Sequence, residues 1–343
     1  LGTNSEMKYR VLAEIAVSEG ELSREQCHAV LQSPDADILQ LLDAAFRVRR
    51  HFRGTGVRLH MLVNAKSGLC SEDCHYCSQS QVSTAEIEKY PWLTEETLLE
   101  GARRAKEARA RRYCIVASGK GPTDREVDHL VRVVQTIKSQ VDIGICCSVG
   151  LLTESQAHLL KGAGVEQLNH NLNTSQRYYP LVCTTHTYED RLATLMAARR
   201  AGLQLCTGVI FGQGETADDI VDVALALREL APESLPVNFL HPIPGTPFQH
   251  FNYLTPFQCL RILCLLRFLC PAQEIRVAGG REHHLRTLQP LALYPADSIF
   301  VDGYLTTPGQ GPEDAWKMVH DMGFEVQEPA GEAGPASGET LGH

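Results

Sequence analysis

The chain has 343 residues, 43% hydrophobic and 21% charged, with a formal net charge of −9. That composition excludes a largely disordered or collagen-like chain. The acidic balance argues against a nucleic-acid partner, whose phosphates need concentrated Lys and Arg, and the absence of any run of about 18 apolar residues argues against a membrane-spanning helix.

Three helical patterns come first. One covers residues 6–19, a second starts at the capping box Ser23-Arg24-Glu25-Gln26, and a third runs from Asp35. In the third, Ile38, Leu41, Leu42, Ala45 and Val48 fall near helical spacing. They predict an N-terminal helical extension over residues 1–55. From residue 61 short β-rich runs alternate eight times with amphipathic helices. The strand candidates are 61–66, 112–118, 142–149, 166–172, 203–211, 234–241, 274–279 and 298–304. Capping boxes at Thr123, Thr153 and Thr216 open three of the intervening helices. After Thr123, Val127, Leu130, Val131, Val134 and Ile137 form one stripe, as a helix lying on a sheet requires. The longest basic stretch, Arg103 to Arg112, reads as a solvated helix face and its following loop.

Eight such units predict an α/β fold, a parallel (β/α)8 TIM-type barrel over residues 56–325. A doubly wound open sheet is the alternative. Residues 326–343, rich in Gly, Pro, Glu and Ala, predict a disordered tail. The start, Leu1-Gly2-Thr3-Asn4, lacks the basic-then-apolar pattern of a secretory signal, and it also lacks an initiator Met, so an upstream piece is open. The expectation is a soluble cytoplasmic protein. In that setting 12 cysteines point to metal or redox chemistry rather than a disulfide framework.

Cys70-Ser71-Glu72-Asp73-Cys74-His75-Tyr76-Cys77 has the spacing C-x3-C-x2-C and follows the first strand, at the end where barrel active sites form. Soft thiolates suit iron–sulfur clusters or zinc. A structural zinc site wants four protein ligands, and the local fourth candidate is His75. Three cysteines alone suit a [4Fe–4S] cube with one iron left open to chelate a small molecule. Tyr76, just before the third cysteine, adds to the pattern. The motif resembles the radical S-adenosylmethionine superfamily. That resemblance implies S-adenosylmethionine on the open iron and a 5′-deoxyadenosyl radical after its reductive cleavage.

Cys114, Cys146, Cys206 and Arg276 lie centrally in strand candidates two, three, five and seven. A lone strand cysteine is usually a small buried hydrophobe. Alternate side chains of barrel strands point inward, so the four could converge, although odd and even strands fill different layers. An arginine is an unusual metal ligand, being a cation without a lone pair to give. Cys147 follows Cys146 and must face the opposite way.

Over about residues 5–325 the chain also resembles the biotin synthase family. The matching segments include Asn64-Ala65-Lys66-Ser67-Gly68, Tyr113-Cys114-Ile115-Val116-Ala117-Ser118-Gly119 and Asn169-His170-Asn171-Leu172-Asn173-Thr174-Ser175. Cys206-Thr207-Gly208, Gly212-Gln213-Gly214-Glu215-Thr216, Pro236-Val237-Asn238-Phe239-Leu240 and Ile275-Arg276-Val277-Ala278-Gly279-Gly280-Arg281-Glu282 match too. The resemblance implies an auxiliary [2Fe–2S] cluster on Cys114, Cys146, Cys206 and Arg276, which would supply sulfur for converting dethiobiotin to biotin. Counting back from Gly150 aligns Cys146 with the family ligand and leaves Cys147 packing under a helix. Cys183, in a loop near the barrel top, stays open as a contributor that would change the auxiliary cluster's nuclearity. Cys27, Cys259, Cys264 and Cys270 read as helix packing.

Asn169, Asn171 and Asn173 alternate, so all can project to one side, against the usual β-propensity. A strand end fraying into a polar turn is the plain alternative. By resemblance Asn171 contacts substrate and nucleoside, and Asn173 reaches the ribose, where some relatives carry an acid. Asn238 is a single amide in an apolar run, costly unless paired, and the ureido ring of dethiobiotin offers complementary groups. Arg191 resembles a residue near the S-adenosylmethionine carboxylate, with a surface salt bridge as the alternative. The glycine-rich run from Gly208 to Glu215 lacks a Walker lysine and reads as a close-approach loop near the adenosyl group. His283 and His284 start a helix and are expected to cap or solvate. The resemblance further implies a flavodoxin-type electron donor, the iron–sulfur assembly machinery and a homodimer as partners. The rivals are another radical S-adenosylmethionine enzyme of the biotin synthase-like group, a maturase or mutase, which lacks the full Cys114, Cys146, Cys206 and Arg276 set, and a non-catalytic zinc scaffold.

Overall fold

A computed structural model describes residues 4–327. Three helices open it, α1 (Asn4–Val17), α2 (Arg24–Leu31) and α3 (Ile38–Arg53). Ser23 and Gln26 form the expected capping box, and Leu41, Leu42, Ala45 and Val48 form the buried stripe of α3. Nine parallel strands follow: β1 (Gly56–Lys66), β2 (Ala110–Ala117), β3 (Gly144–Ser148), β4 (Gln167–Asn169), β5 (Gln204–Cys206), β6 (Val209–Phe211), β7 (Ser234–Phe239), β8 (Glu274–Val277) and β9 (Ser298–Phe300). β1 pairs with both β2 and β9, which closes the ring. β5 and β6 both pair with β7 and share one barrel position, so the ring has eight places. The fold is an α/β TIM-type barrel, and the open-sheet alternative does not hold.

The helices outside the ring are α4 (Glu95–Glu107), α5 (Asp124–Gln140), α6 (Glu154–Ala163), α7 (Tyr179–Val182), α8 (Tyr188–Arg200), α9 (Ala217–Leu230), α10 (Pro256–Leu269), α11 (Arg281–Leu285) and α12 (Pro312–Asp321). Thr94, Thr123, Thr153, Thr187, Thr216 and Thr255 each accept a hydrogen bond from the third helical amide. Such a cap stabilises a helix start by about 1 kcal/mol. On α5 the buried stripe uses Val133, while Val131 is only half-buried. α2 and α3 pack on α9 and α10, so the extension sheathes one side of the barrel. No described helix is long and apolar enough to cross a membrane.

Three differences from the sequence reading have physical causes. β1 starts at Gly56 rather than residue 61, because Arg58 and His60 are polar residues of the barrel's lower layer, close to Glu274. The basic stretch is not one solvated face: α4 ends at Glu107, while Arg111 and Arg112 begin β2, with Arg112 buried. The expected tail begins later, since Glu325 and Val326 form β10 beside Gly56 and Val57. Residues 328–343 of that tail lie outside the described residues.

The candidate strand 203–211 is split at Thr207-Gly208. A Cβ on Gly208 would lie 1.8 Å from the Pro236 carbonyl oxygen, so only glycine lets these backbones approach. Gly208→Ala should therefore lower stability by about 3 kcal/mol, the upper end of overpacking. Gly162→Ala, with nothing within 4 Å of its Cβ, is the control. Thermal unfolding of the two variants checks this, and equal midpoints would refute it.

Candidate active site

The carboxyl ends of the strands open into a cavity of about 280 Å³. Cys70, Cys74 and Cys77 line it from the loop after β1. Backbone bonds from Cys77 N to Cys74 O (3.1 Å) and from Ser80 N to Cys77 O (3.2 Å) curl this loop so that its thiols turn inward. Its His75 is held by backbone bonds to Val182 and Phe248, and its ring packs edge-on to Phe248 at 5.3 Å. His75 does not line the cavity, so the local fourth ligand of a zinc site is turned away.

The acidic pair inside the loop is tied to the segment after α7. The Asp73 carboxylate accepts from Thr184 N at 2.8 Å and from the Thr184 hydroxyl, and Glu72 accepts from the Thr185 hydroxyl at 2.7 Å. These bonds set Cys183 Sγ 3.7 Å from Cys74 Sγ and 3.2 Å from His186 Nδ1. Cys74, Cys183 and His186 form a buried trio whose ligand atoms lie within 4.8 Å of one another. The hydrogen bond between the two thiols lowers the pKa of Cys183 and, with burial, raises that of Cys74. Cys183 is thus beside the first thiol set, not the second.

Arg191 is buried rather than a surface ion pair. It donates to Asn171 O at 2.9 Å and to the Tyr179 hydroxyl, and its Nη2 lies 2.8 Å from His186 Nε2. Arginine only donates, so His186 Nε2 accepts and Nδ1–H points to Glu72, 2.5 Å away.

Asn169, Asn171 and Asn173 all line the cavity, but not by strand alternation. β4 ends at Asn169, and Asn173 sits at φ +70°, a left-handed backbone that asparagine tolerates. Asn173 Nδ2 donates to the Tyr76 hydroxyl (2.9 Å), Asn171 Oδ1 accepts from Gly208 N (3.1 Å), and Asn169 Nδ2 reaches Cys206 Sγ (3.2 Å). Asn238 also lines the cavity, with Nδ2 donating to Val209 O (3.0 Å) and Oδ1 accepting from Gly279 N (2.9 Å). Each end of that amide keeps one further hydrogen-bonding valence.

The second constellation converges. Cys114 and Cys146 are register partners on adjacent strands and so share a face. With Cys206 they form one buried group, packed against Leu62 and Phe300. Cys147 belongs to the separate core outside the ring. Arg276 Nη1 lies 3.7 Å from Cys206 Sγ, and its Nη2 donates to Ser234 Oγ (2.8 Å) and Glu274 Oε1 (2.5 Å). Burial alone would raise Cys206, but hydrogen bonding from Cys146 and the charge of Arg276 draw it down to about 6. Bonding to Cys114 and Cys206 pushes Cys146 up.

Sequence reasoning missed Glu274. Burial would raise its pKa, but Arg276, His60 and Arg112 hold it well below the usual carboxylate range. Ser298 Oγ donates to it at 3.1 Å, and His60 Nε2 lies 2.9 Å away. Burial and Arg276 push His60 down to about 3, which keeps the imidazole neutral. The available signal was the pair Glu274 and Arg276, two apart on one strand and therefore on one face. Of the glycine-rich run, Ile210 lines the cavity, while Glu215 folds the far end back by accepting from Gly212 N and Gln213 N, both at 2.6 Å. One further expectation fails. His284 is buried and bonds Leu240 O at 2.7 Å instead of capping or solvating.

The Radical SAM superfamily model matches residues 66–227, and the Biotin and Thiamin Synthesis associated domain matches residues 236–325. Biotin synthase of Bacillus subtilis (strain 168) is 52% identical over 316 residues, covering 92% of this chain and 94% of that protein. Biotin synthase of Bacillus cytotoxicus is 47% identical over 326 residues, covering 95% and 98%. Among solved structures, methylornithine synthase matches with a TM-score of 0.83 at 19% identity, over 93% of this chain and 98% of that one. The FeFe-hydrogenase maturase of Carboxydothermus hydrogenoformans matches with a TM-score of 0.78 at 19% identity, over 94% and 79%. At such identities the structural likeness speaks for the fold alone.

Proposed function

The chain belongs to the biotin synthase family of radical S-adenosylmethionine enzymes, and we propose that its barrel inserts sulfur into dethiobiotin to form biotin. The observation that carries this reading is that two separate thiol sets meet one cavity, Cys70, Cys74 and Cys77 at the mouth and Cys114 at depth. The mouth set fits a three-thiolate cluster, because Cys70, Cys74 and Cys77 all line the cavity while His75 of the same loop is turned away and His186 is engaged by Glu72 and Arg191. The deep set fits a second cluster, because three converging thiols lie beside a cation that neutralises them. When bound, the [4Fe–4S] cluster with S-adenosylmethionine supplies the radical and the [2Fe–2S] cluster supplies the sulfur.

The chain's own residues position the reactants. Tyr76, Asn171, Asn173 and Arg191 would hold S-adenosylmethionine, and Asn171 and Asn238 would hold the substrate's ureido ring. Cys114 and the mouth thiols line the same cavity, so an elongated small molecule would lie between the thiol sets. Leu62, Ile210 and Phe239 add apolar wall that excludes water from a reactive carbon centre. Glu274 keeps the Arg276 guanidinium charged and in place beside Cys206. The helical extension, the barrel with β10, and the segment beyond residue 327 are proposed as the three units of the chain. A flavodoxin-type donor, the iron–sulfur assembly machinery, a cytoplasmic setting and a homodimer complete the reading from the family.

Anaerobic reconstitution tests it. The protein should be brown, with iron and acid-labile sulfide counts matching one [4Fe–4S] and one [2Fe–2S] cluster per chain. A colourless protein carrying zinc, a d¹⁰ ion, would refute the reading.

A further inference from the structure

At the other end of the barrel, the amino ends of the strands frame a second pocket, of about 360 Å³. Four guanidinium groups border it: Arg53 from the end of α3, Arg58 from β1, and Arg111 and Arg112 from the start of β2. The nearby carboxylates are already engaged. Glu274 gives Oε1 to Arg276 at 2.5 Å and is left with one oxygen, Oε2, for Arg58 (3.1 Å), Arg112 (3.9 Å) and Arg53 (4.0 Å), while Asp297 is divided between Arg267 (2.6 Å) and Arg53 (2.8 Å). Glu166, 3.7 Å from Arg112, is shared with Lys138, and exposed Glu233 accepts from Leu205 N. The Arg111 side chain makes no hydrogen bond or close ion pair among the described residues, and burial, with Arg58 and Arg112 beside it, lowers its pKa against the opposing charges of Glu274 and Glu166. Arg53 Nη2 and Arg112 Nε are buried without a hydrogen-bond partner.

An independent observation points the same way. Gln167 is 1% exposed and lines the pocket, and both Nε2 and Oε1 of its side chain are unpartnered. Its Nε2 is a buried donor without an acceptor, which costs stability unless a ligand oxygen completes it. We propose that this pocket binds a small tetrahedral oxyanion of the phosphate or sulfate class. Donors converge on it from three different elements, α3, β2 and β4, and a tetrahedral ion offers acceptors in several directions where a planar carboxylate serves one fork. Enclosed cationic walls focus the field on such an ion. The pocket lies beneath the deep thiols, since Gln167 is in register with Cys146 and Arg112 precedes Cys114 by two residues.

The test is calorimetric titration of the holoenzyme, saturated with S-adenosylmethionine, with inorganic phosphate and separately with sulfate, using chloride as the screening control. Saturable uptake of one ion per chain is expected, and whichever oxyanion binds more tightly identifies the source. Arg111→Ala and Gln167→Leu should each weaken it by about tenfold or more. Arg111→Lys, which keeps the charge but loses the fork, should weaken it less and covers the case that the alanine variant fails to fold. In parallel, the ion should raise the unfolding midpoint of the parent protein but not of Arg111→Ala. Absence of saturable uptake for both ions, or uptake unchanged in the folded Arg111 variants, would overturn the proposal.

Discussion

Replacing Cys74 by alanine should reduce 5′-deoxyadenosine formation by the dithionite-reduced, reconstituted protein to background. Cys74 lines the cavity between Cys70 and Cys77 on a loop whose backbone bonds fix all three thiols. Removing one thiolate leaves two, too few for a cube that must keep one iron free for S-adenosylmethionine. The complication lies in the structure itself, because the Cys183 thiol stands 3.7 Å from Cys74 Sγ and is held toward its thiolate form. A substitute ligand is thus within reach at that one vertex. Cys183 makes its one hydrogen bond to the mouth thiols at Cys74 among the described residues, so Cys70→Ala and Cys77→Ala serve as comparison. Any residual cleavage in Cys74→Ala should vanish when Cys183→Ser is added. Cys183→Ser alone should retain cleavage within about threefold of the parent, a loss of well under 1 kcal/mol in the barrier. Cleavage at the parent rate in the Cys74→Ala, Cys183→Ser double variant would refute the mouth-set assignment.

Much of the barrel is legible because its two periodicities differ and are punctuated. Short apolar runs such as 112–118 are bounded by helices whose first turn is marked by threonine, and Thr123, Thr153 and Thr216 cap as read. The first five residues of β1 are not legible, because Arg58 and His60 look like loop residues until Glu274, distant in sequence, is brought beneath them. The loop cysteines are readable from spacing alone, since chain connectivity confines three thiols to eight residues. Convergence of Cys114, Cys146 and Cys206 is a matter of register. Cys114 pairs with Cys146, but Cys206 pairs with Asn169, two residues beyond the Gln167 opposite Cys146, so it takes the stagger of the barrel strands to bring the third thiol to the other two. Cys183 and His186 carry no local motif. Their place is set by Glu72 and Asp73 across more than a hundred residues of chain.

The Glu274–Arg276 pair explains how a deep thiol set is tolerated at all. A lone buried guanidinium would be costly, and so would a thiolate beside it without a counter-charge. Glu274 reaches Arg276 from below while Cys206 stands 3.7 Å away on its other side, and Phe300 covers the guanidinium at 5.1 Å. The deep set can therefore lose one thiol without stranding a charge, since the cation keeps its carboxylate. The mouth set lies on a different segment, the loop after β1, and does not depend on that network.

Those two facts predict uncoupling. Cys114→Ala and Cys206→Ala should fold, and both should still form 5′-deoxyadenosine within about threefold of the parent. Biotin produced per 5′-deoxyadenosine should fall by at least about tenfold, because the variants keep the residues that hold the cofactor and lose those that hold the sulfur donor. Cys147→Ala, on the outer face of β3, should change neither ratio. Quantifying both products from the same single-turnover reaction gives the ratio directly. An unchanged biotin yield in Cys114→Ala or Cys206→Ala would mean that sulfur reaches the substrate by another route. Parallel loss of both products would mean that the deep thiols support the mouth set structurally rather than serving the sulfur transfer.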